Sequence, residues 1–145
     1  MIMREFLFRG KHIHILPKNE HLDGIWVYGY LSGKNYINVV DEDEYGGKFT
    51  SEMLIDPETI CQYTGLTDKN GRKIFERDIV KAICKTKDED LTIDDFIIKW
   101  DKYYCKFVGY YTNKENVYNP LLFSSQTSFE VIGNIFDNPE LIGND

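Results

Sequence analysis

The apolar residues of the chain fall into short runs between turn-forming residues, and no stretch has the apolar spacing of a long amphipathic helix. Runs of roughly four to eight apolar and aromatic residues bounded by Gly, Pro, Asn or Asp are typical of β-strands. The aromatic content of 14% agrees with this pattern, because aromatic side chains fit a pleated, half-buried surface. The sequence therefore predicts a mainly β fold with minor helix, arranged as a sandwich or a small barrel.

The predicted strands are short and are joined by recognisable turns. They cover residues 3–10, 26–31, 36–40, 59–63, 73–75, 79–84, 96–100, 105–111 and 129–135. Turns are predicted at 32–35 and at 68–71, where Asn and Gly accept positive φ, and exposed acidic loops are predicted at 41–47 and 85–95. One helical turn is predicted at 138–141, because Pro is favoured at the start of a helix.

A chain of 145 residues forms one domain or two small modules. We expect a β-rich module over residues 1–58 and a second module over residues 59–145. The net charge of −7 and the pI near 5.0 oppose a general affinity for DNA or for anionic membranes. The charge is uneven, however, because residues 41–58 carry seven acids and one Lys, whereas residues 96–118 carry four Lys and two acids. Overall acidity therefore does not decide what one face binds.

The three cysteines, Cys61, Cys84 and Cys105, are widely spaced and form no CxxC pair. Each lies in or beside an apolar run, which is typical of a reduced, buried thiol in the cytosol. The N-terminal residues lack an apolar stretch long enough for a signal peptide, and no run of about eighteen apolar residues occurs. These features predict a soluble protein of the cytoplasm that makes no membrane contact.

The densest motif is QYTGLTDKNGRKIFERDIVK at residues 62–81. A phosphate loop needs G-x-x-x-x-G-K-[ST] before a helix, but Gly65 and Gly71 are one residue too far apart and Arg72 replaces the Lys. An EF-hand loop is excluded as well, because the first and last positions of such a loop would lack their acidic ligands here. The motif therefore binds neither a phosphate nor Ca²⁺ by these known arrangements.

Two further groups of titratable residues raise hypotheses. Glu76 and Asp78 are a candidate carboxylate pair, but acid–base chemistry also needs a pocket, and we favour a role for Asp78 as an acceptor for backbone N–H groups in a turn. His12, His14 and His21 suggest a zinc site, although ordinary surface histidines are favoured because a fourth ligand is missing. We predict no metal, no cofactor and no catalytic residue, and the chain also lacks a G-x-S-x-G motif.

The hairpin over residues 99–111 interleaves Lys with aromatic residues. This composition is typical of a surface for single-stranded nucleic acid, with rings under bases and ammonium groups near phosphates. It is also typical of an ordinary barrel hairpin, and we favour that interpretation for Trp100 and Phe107, which would fill a small interior. The residues left outward form the candidate binding face: Lys102, Tyr103, Tyr104, Lys106, Tyr110 and Tyr111.

The chain resembles the YopX family, whose members are small proteins of phages and prophages of low-GC Gram-positive bacteria. The resemblance rests on MREFLFRGK at the N-terminus, WVYGYL at residues 26–31, IDPETICQYTGLTDKNGRKIFERDIVK at residues 55–81 and FEVIGNIFDNPELI at residues 129–142. The last two blocks, in this order, are highly specific. Residues 85–128 match only loosely, and Arg77 stands where the family usually has Gly before Asp-Ile-Val.

The resemblance implies a largely β structure, with an N-terminal β-hairpin module packed on an SH3-like barrel, and it carries over no catalytic residue or cofactor. Matched positions are mainly glycines, turn residues and apolar residues, so residues 62–81 are predicted to be framework. If the Gly of relatives has positive φ, either Arg77 bears strain or the turn differs here. The predicted framework positions are Gly65, Asp68, Asn70, Gly71, Asp78, Gly133, Asn134, Asn138 and Pro139.

We therefore expect a non-enzymatic accessory protein of phage or prophage origin that binds a protein partner or associates with itself through a strand edge. The candidate binding face and the acidic segment from Asp41 to Glu44 are the expected contact regions. The alternative is single-stranded nucleic-acid binding through the 99–111 hairpin, which predicts salt-sensitive affinity. An enzyme is a third hypothesis, and it requires a pocket with converging polar groups.

Overall fold

The protein is mainly β, which confirms the predicted fold class. The computed structural model describes most of the chain, namely residues 5–15, 22–115, 117–119 and 127–143. Two compact units follow each other, Met1–Tyr63 and Thr64–Asp145. Within the described ranges, no helix is long and apolar enough to cross a membrane.

The first unit is an antiparallel sheet with the strand order β4-β3-β2-β1-β5. The strands are β1 (Phe8–Lys11), β2 (Trp26–Ser32), β3 (Tyr36–Glu42), β4 (Lys48–Leu54) and the first residues of β5 (Cys61–Thr67). The predicted hairpin of β2 and β3 is confirmed. The predicted acidic loop at 41–47 is wrong at its first two residues, since β3 includes Asp41 and Glu42. Its other end agrees with the structure, because β4 begins at Lys48. The residue pattern predicts no strand at β4, because its polar and apolar residues alternate poorly.

Two glycines allow the strands of the first unit to pack closely. A Cβ at Gly29 would collide with the backbone carbonyl of Asn38, and a Cβ at Gly10 would collide with the Ile55 side chain. Ile37 and Ile55 are fully buried beside these positions. Gly29, in the WVYGYL motif, is therefore a packing requirement rather than a binding feature.

The second unit contains the end of β5, with β6 (Lys73–Phe75) beside it, and a five-stranded antiparallel sheet. The sheet order is β10-β9-β8-β7-β11, and its strands are β7 (Asp78–Lys85), β8 (Asp90–Asp101), β9 (Lys106–Tyr111), β10 (Tyr118–Asn119) and β11 (Thr127–Asn134). The predicted acidic loop at 85–95 is wrong at Lys85, the last residue of β7, and beyond residue 89, because pairing with β7 makes Asp90 the start of β8. A 3₁₀ turn at Pro139–Leu141 confirms the predicted helical turn. SH3-like closure of this unit stays a prediction.

One apolar cluster forms the core of the second unit. Its members alternate along β7, β8 and β11, with one residue from β6, as expected for strands with one face inward. They are Ile74, Val80, Ala82, Phe96, Ile98, Phe129 and Val131, and Phe107 and Tyr111 pack against them. The hairpin of β8 and β9 thus packs one face against this core. On its other face Ile97 and Val108 are also buried, whereas Lys99 and Lys106 are exposed.

Asp68 joins the predicted turn at 68–71 to β11. Its side chain is 7% exposed. Oδ1 accepts hydrogen bonds from the N–H groups of Asn70 and Arg72, both at 2.9 Å, and Oδ2 accepts one from Val131 at 3.0 Å. Burial raises the pKa of Asp68, but the three backbone N–H groups and the Arg72 charge lower it, and the net pKa lies below its ordinary value. This carboxylate therefore stays charged and holds the turn against the sheet.

The end of β11 is fixed by amide side chains. Asn134 Oδ1 accepts from the N–H groups of Phe136 and Asp137 at 3.0 and 2.9 Å, and Asn138 Oδ1 accepts from Asn134 N–H at 3.2 Å. A Cβ at Gly133 would lie 2.5 Å from Asn138 Oδ1, so only glycine fits beside this amide. The residues of the FEVIGNIFDNPELI block therefore form the end of a strand and the turn that follows it.

Arg77 adopts a left-handed backbone conformation, with φ at 67°. Its N–H donates to the Ile98 carbonyl at 2.6 Å, and its own carbonyl accepts from Ile135 N–H at 3.1 Å, so neighbouring strands hold the conformation in place. Its guanidinium lies 5.8 Å from the centroid of the Phe136 ring. Arg77 therefore bears backbone strain that Gly would avoid at this position.

Asp68→Asn should lower the free energy of unfolding by roughly 1.5–3 kcal/mol at neutral pH, because an amide N–H would face a backbone N–H in a buried position. Since the folded-state pKa is lowered, the stabilisation by the carboxylate is present above the ordinary aspartate pKa of about 4 and is lost as pH falls below it. Urea unfolding of native protein and variant should therefore differ most at neutral pH and least near about pH 3.

Asp43→Asn is the matched control, because Asp43 Oδ1 also accepts two backbone N–H groups, from Tyr45 and Gly47, but in an exposed turn. Its effect on unfolding should be smaller than that of Asp68→Asn. Equal effects of the two substitutions, or a difference that is independent of pH, would contradict the role assigned to the buried carboxylate.

Replacing Arg77 separates backbone strain from side-chain contact. Arg77→Gly and Arg77→Ala both remove the contact with Phe136, but only Gly relieves the left-handed conformation. We expect Arg77→Gly to be more stable than Arg77→Ala by about 1 kcal/mol in urea unfolding. An Ala variant as stable as the Gly variant would show that the turn carries no such strain.

Candidate functional site

The hairpin of β8 and β9 ends in a turn that a buried carboxylate organises. Asp101 is 7% exposed and lies opposite Lys106 in the last pair of the ladder. Its Oδ1 accepts hydrogen bonds from the N–H groups of Tyr103 and Tyr104, at 2.8 and 3.2 Å. Cys105 completes the turn with φ at 51°. The turn is therefore a defined structure rather than a loose loop.

Two tyrosines project from this turn into solvent. Tyr103 is 84% exposed and Tyr104 is 63% exposed. The Lys102 ammonium lies 5.4 Å from the Tyr103 ring centroid, and the Lys106 ammonium lies 5.7 Å from the Tyr104 ring centroid. These distances suit cation–π contacts. We call these four residues the hairpin tip.

The candidate binding face predicted from the sequence is divided between two places. The hairpin tip holds four of its residues, whereas Tyr110 and Tyr111 are half-buried at the far end of β9. The Tyr111 ring packs 4.6 Å from the Phe96 ring, on the core side. By strand alternation Tyr110 belongs to the opposite face, and the Lys99 ammonium lies 4.9 Å from its ring centroid. The six residues therefore do not form one continuous surface.

A groove of about 500 Å³ lies beside Tyr110 and Tyr111. Its lining combines strand β8, the end of β9, the loop after it and the C-terminal turn, and consists of Ile97, Lys99, Tyr110, Tyr111, Thr112, Asn113, Lys114, Glu115, Ile142 and Gly143. Lys114 has its ammonium 4.6 Å from the Tyr111 ring centroid. Two lysines, one carboxylate (Glu115), two phenol rings and the Asn113 amide suit a small polar ligand. Sequence reasoning missed Lys114, because the residues after β9 carry no motif.

Two side chains of the hairpin, Trp100 and Cys105, differ from expectation. Trp100 was assigned to the core, but it is 47% exposed because it lies beyond the last core layer, with its ring 5.0 Å from that of Phe107. Phe107 itself packs against the core, as predicted. Cys105 was predicted to be buried and is exposed, because β9 begins one residue later; Cys61 is buried and Cys84 is half-buried.

His12 is buried and His14 is half-buried. His12 is 6% exposed, so the expectation of a surface histidine is wrong there: its Nδ1 donates to the Leu54 carbonyl at 2.7 Å. His12 Nε2 lies 3.1 Å from His14 Nδ1, which places both rings on one side of the chain as the spacing indicated. His21 lies outside the described residues. The part of the chain that the structure describes contains no group of three or more His, Cys, Asp or Glu side chains placed to hold a metal ion.

The remaining predicted carboxylates are structural or exposed. Asp78 is 1% exposed, and its Oδ2 accepts from Phe75 N–H at 2.8 Å, which confirms its predicted role in the turn before β7. Glu76, its predicted partner, is half-buried in the same turn.

Asp95, in β8, has a displaced pKa. Burial raises the pKa of Asp95, the Lys81 charge lowers it and the Asp94 charge raises it, and the net pKa lies above its ordinary value.

Framework residues and the acidic segment occupy turns. Gly65 and Gly71 have φ at 89° and 81°, which explains glycine at both positions. The acidic segment, Asp41 to Glu44, is exposed and covers the end of β3 and the first residues of the turn to β4.

Two comparisons with known proteins bear on identity. The sequence model of the family described as YopX protein matches residues 18–143, which is most of the chain. No curated protein matches the chain.

Proposed function

The chain belongs to the YopX family, and on that premise we propose that it is a phage or prophage accessory protein that binds a protein partner through the hairpin tip and performs no catalysis. The observation that carries this proposal is the exposure of two adjacent tyrosines, at 84% and 63%, on a turn held by a buried Asp101.

Tyrosine is suited to such contacts. Its ring supplies a large apolar area at a low cost in side-chain entropy, and Tyr is enriched among residues that dominate binding energy. A turn that is already ordered loses less freedom when a partner binds, which favours affinity. Asp101 supplies that order by accepting two backbone N–H groups at the tip.

The charge of the hairpin tip indicates the chemistry of the partner. Lys102 and Lys106 are exposed beside the tyrosines, whereas the whole chain has a net charge of −7. A partner with an acidic and aromatic segment would be attracted to the tip and repelled from the rest of the surface. We therefore propose an acidic protein segment as the partner.

The absence of catalysis is proposed from the titratable groups. Asp68 and Asp95 have displaced pKa values, and neither lines the groove. Displaced pKa values cluster at catalytic sites. The groove residues Lys99 and Lys114 instead hold their ammonium groups over tyrosine rings, which supports a binding role for the groove.

Site-specific photo-crosslinking in cells that express the protein tests the proposed partner contact. A benzophenone amino acid replaces Tyr103 in one variant and Tyr45 in another, since Tyr45 is 89% exposed but lies in the acidic turn between β3 and β4. We expect a discrete crosslinked protein from position 103 that is absent from position 45. Identical products from both positions, or no product from position 103, would contradict the proposal.

Single-stranded nucleic-acid binding remains the second candidate, favoured by the two Lys–Tyr pairs of the hairpin tip. Bases can stack on the open faces of the rings while the ammonium groups contact phosphates. Fluorescence anisotropy with labelled single-stranded DNA and RNA then detects binding that weakens with salt. The double change Lys102→Glu with Lys106→Glu should abolish it.

The matched control for this experiment is Lys34→Glu with Lys87→Glu, which changes the net charge equally at exposed positions away from the hairpin. It should retain most of the affinity. Binding that is insensitive to salt, or equally reduced by both double variants, would exclude the hairpin tip as a nucleic-acid site.

A further inference from the structure

The outer edge of β4 is open along most of its length. β4 is the last strand of its sheet, and it pairs with β3 through the whole span from Lys48 to Leu54. Its residues from Lys48 to Glu52 are exposed or, at Ser51, half-buried. An open edge presents backbone N–H and C=O groups that pair readily with another strand.

Hydrogen bonds at both ends of the β3–β4 ladder show which residues face outward. Asp43 N–H donates to the Gly47 carbonyl at 2.8 Å, and Ile55 N–H donates to the Asn35 carbonyl at 2.7 Å. Because bonded and non-bonded pairs alternate in an antiparallel ladder, the odd-numbered residues of β4 bond to β3. The backbone groups of Lys48, Thr50 and Glu52 therefore point away from the sheet.

Elsewhere the fold protects such an edge. The outer edge of β11 is covered by the turn at 68–71: Lys69 N–H donates to the Phe129 carbonyl at 2.8 Å, and Val131 N–H donates to Asp68 Oδ2. On β4, the Leu54 carbonyl accepts from Ile13 N–H at 2.9 Å. Among the described residues, none hydrogen-bonds to the outward backbone groups between Lys48 and Glu52.

We propose that the protein forms a homodimer in which the β4 strands of two copies pair antiparallel about a two-fold axis at Thr50. In this register Thr50 faces Thr50 of the second copy, and Lys48 faces Glu52 of the second copy. Each opposed pair exchanges two N–H···O=C bonds, because all of these residues point their backbone groups outward. This interface is separate from the hairpin tip and does not depend on the function proposed for it.

Charge complementarity identifies a second copy as the occupant. β4 carries a cation at Lys48 and an anion at Glu52, so the reversed strand presents the opposite charges at the same positions. Opposite charges facing each other stabilise a strand pair, and like charges destabilise it. Registers centred on Lys48 or on Glu52 would place two like charges face to face, and registers centred on Phe49 or on Ser51 would oppose a charged residue to Thr50. The Thr50 register is favoured because it alone opposes Lys48 to Glu52.

Charge substitution tests this interface through sedimentation equilibrium of the full chain. The native protein should be a dimer. Glu52→Lys should raise the dissociation constant of the dimer by about tenfold or more, because Lys then faces Lys. Adding Lys48→Glu to this variant should restore dimerisation. Glu44→Lys is the matched control, since it makes the same charge change in the turn outside the paired residues, and it should leave the dissociation constant within about threefold.

Cysteine crosslinking tests the register by distance. In a Cys105→Ser background, Thr50→Cys should form an intermolecular disulfide, because opposed residues of a bonded pair lie about 5.5 Å apart at Cα. Glu52→Cys should not, since the two cysteines would lie about 13 Å apart along the strands. Three outcomes would each overturn the proposal. They are a native protein that is monomeric at high concentration, a Glu52→Lys effect equal to that of Glu44→Lys, and crosslinking at position 52 but not at position 50. Far-UV circular dichroism of each variant must match that of the native protein.

Discussion

The second unit depends on one buried carboxylate, that of Asp68. It accepts two N–H groups of its own turn and one from β11, next to the point where the β11–β7 register shifts between Val131 and Gly133. β11 is the last strand of its sheet, so the Val131 N–H on its outer edge has no neighbouring strand, and a charged acceptor is a strong substitute for that partner. β11 pairs with β7 and β7 with β8, so Asp68 fixes the turn at 68–71 to the sheet that also carries the hairpin.

Strained backbone conformations lie in turns of the second unit. Arg77 and Cys105 have positive φ although neither is glycine, and both lie in turns that lead into strands of the same sheet. Such conformations persist only where surrounding bonds over-determine them. At Arg77 the bonds to Ile98 and Ile135 do so; at the hairpin tip, Asp101 organises the turn beside Cys105. The rigid presentation of Tyr103 and Tyr104 is a consequence of this arrangement.

The framework motifs were predictable because their chemistry is local. Asn-Gly and Asp in turns, Pro at the first position of a helical turn and the alternation of Phe96, Ile98 and Trp100 in β8 each depend on neighbours within a few residues. The missed elements depend on distant residues. β4 and the start of β8 mix polar with apolar residues, and they are strands because β3 and β7 supply their hydrogen bonds. The exposure of Trp100 likewise depends on where the core ends, which no local pattern records.

The sequence by itself determined the fold class, the turns of the 62–81 motif and the family, since alternation, turn chemistry and two specific blocks are all written in consecutive residues. Only the tertiary structure decided which aromatic residues face solvent, that the candidate face divides into a hairpin tip and a groove, and that Lys114 belongs to the groove. It also decided which strand edge stays open, because an edge exists only once every other strand has found its neighbour.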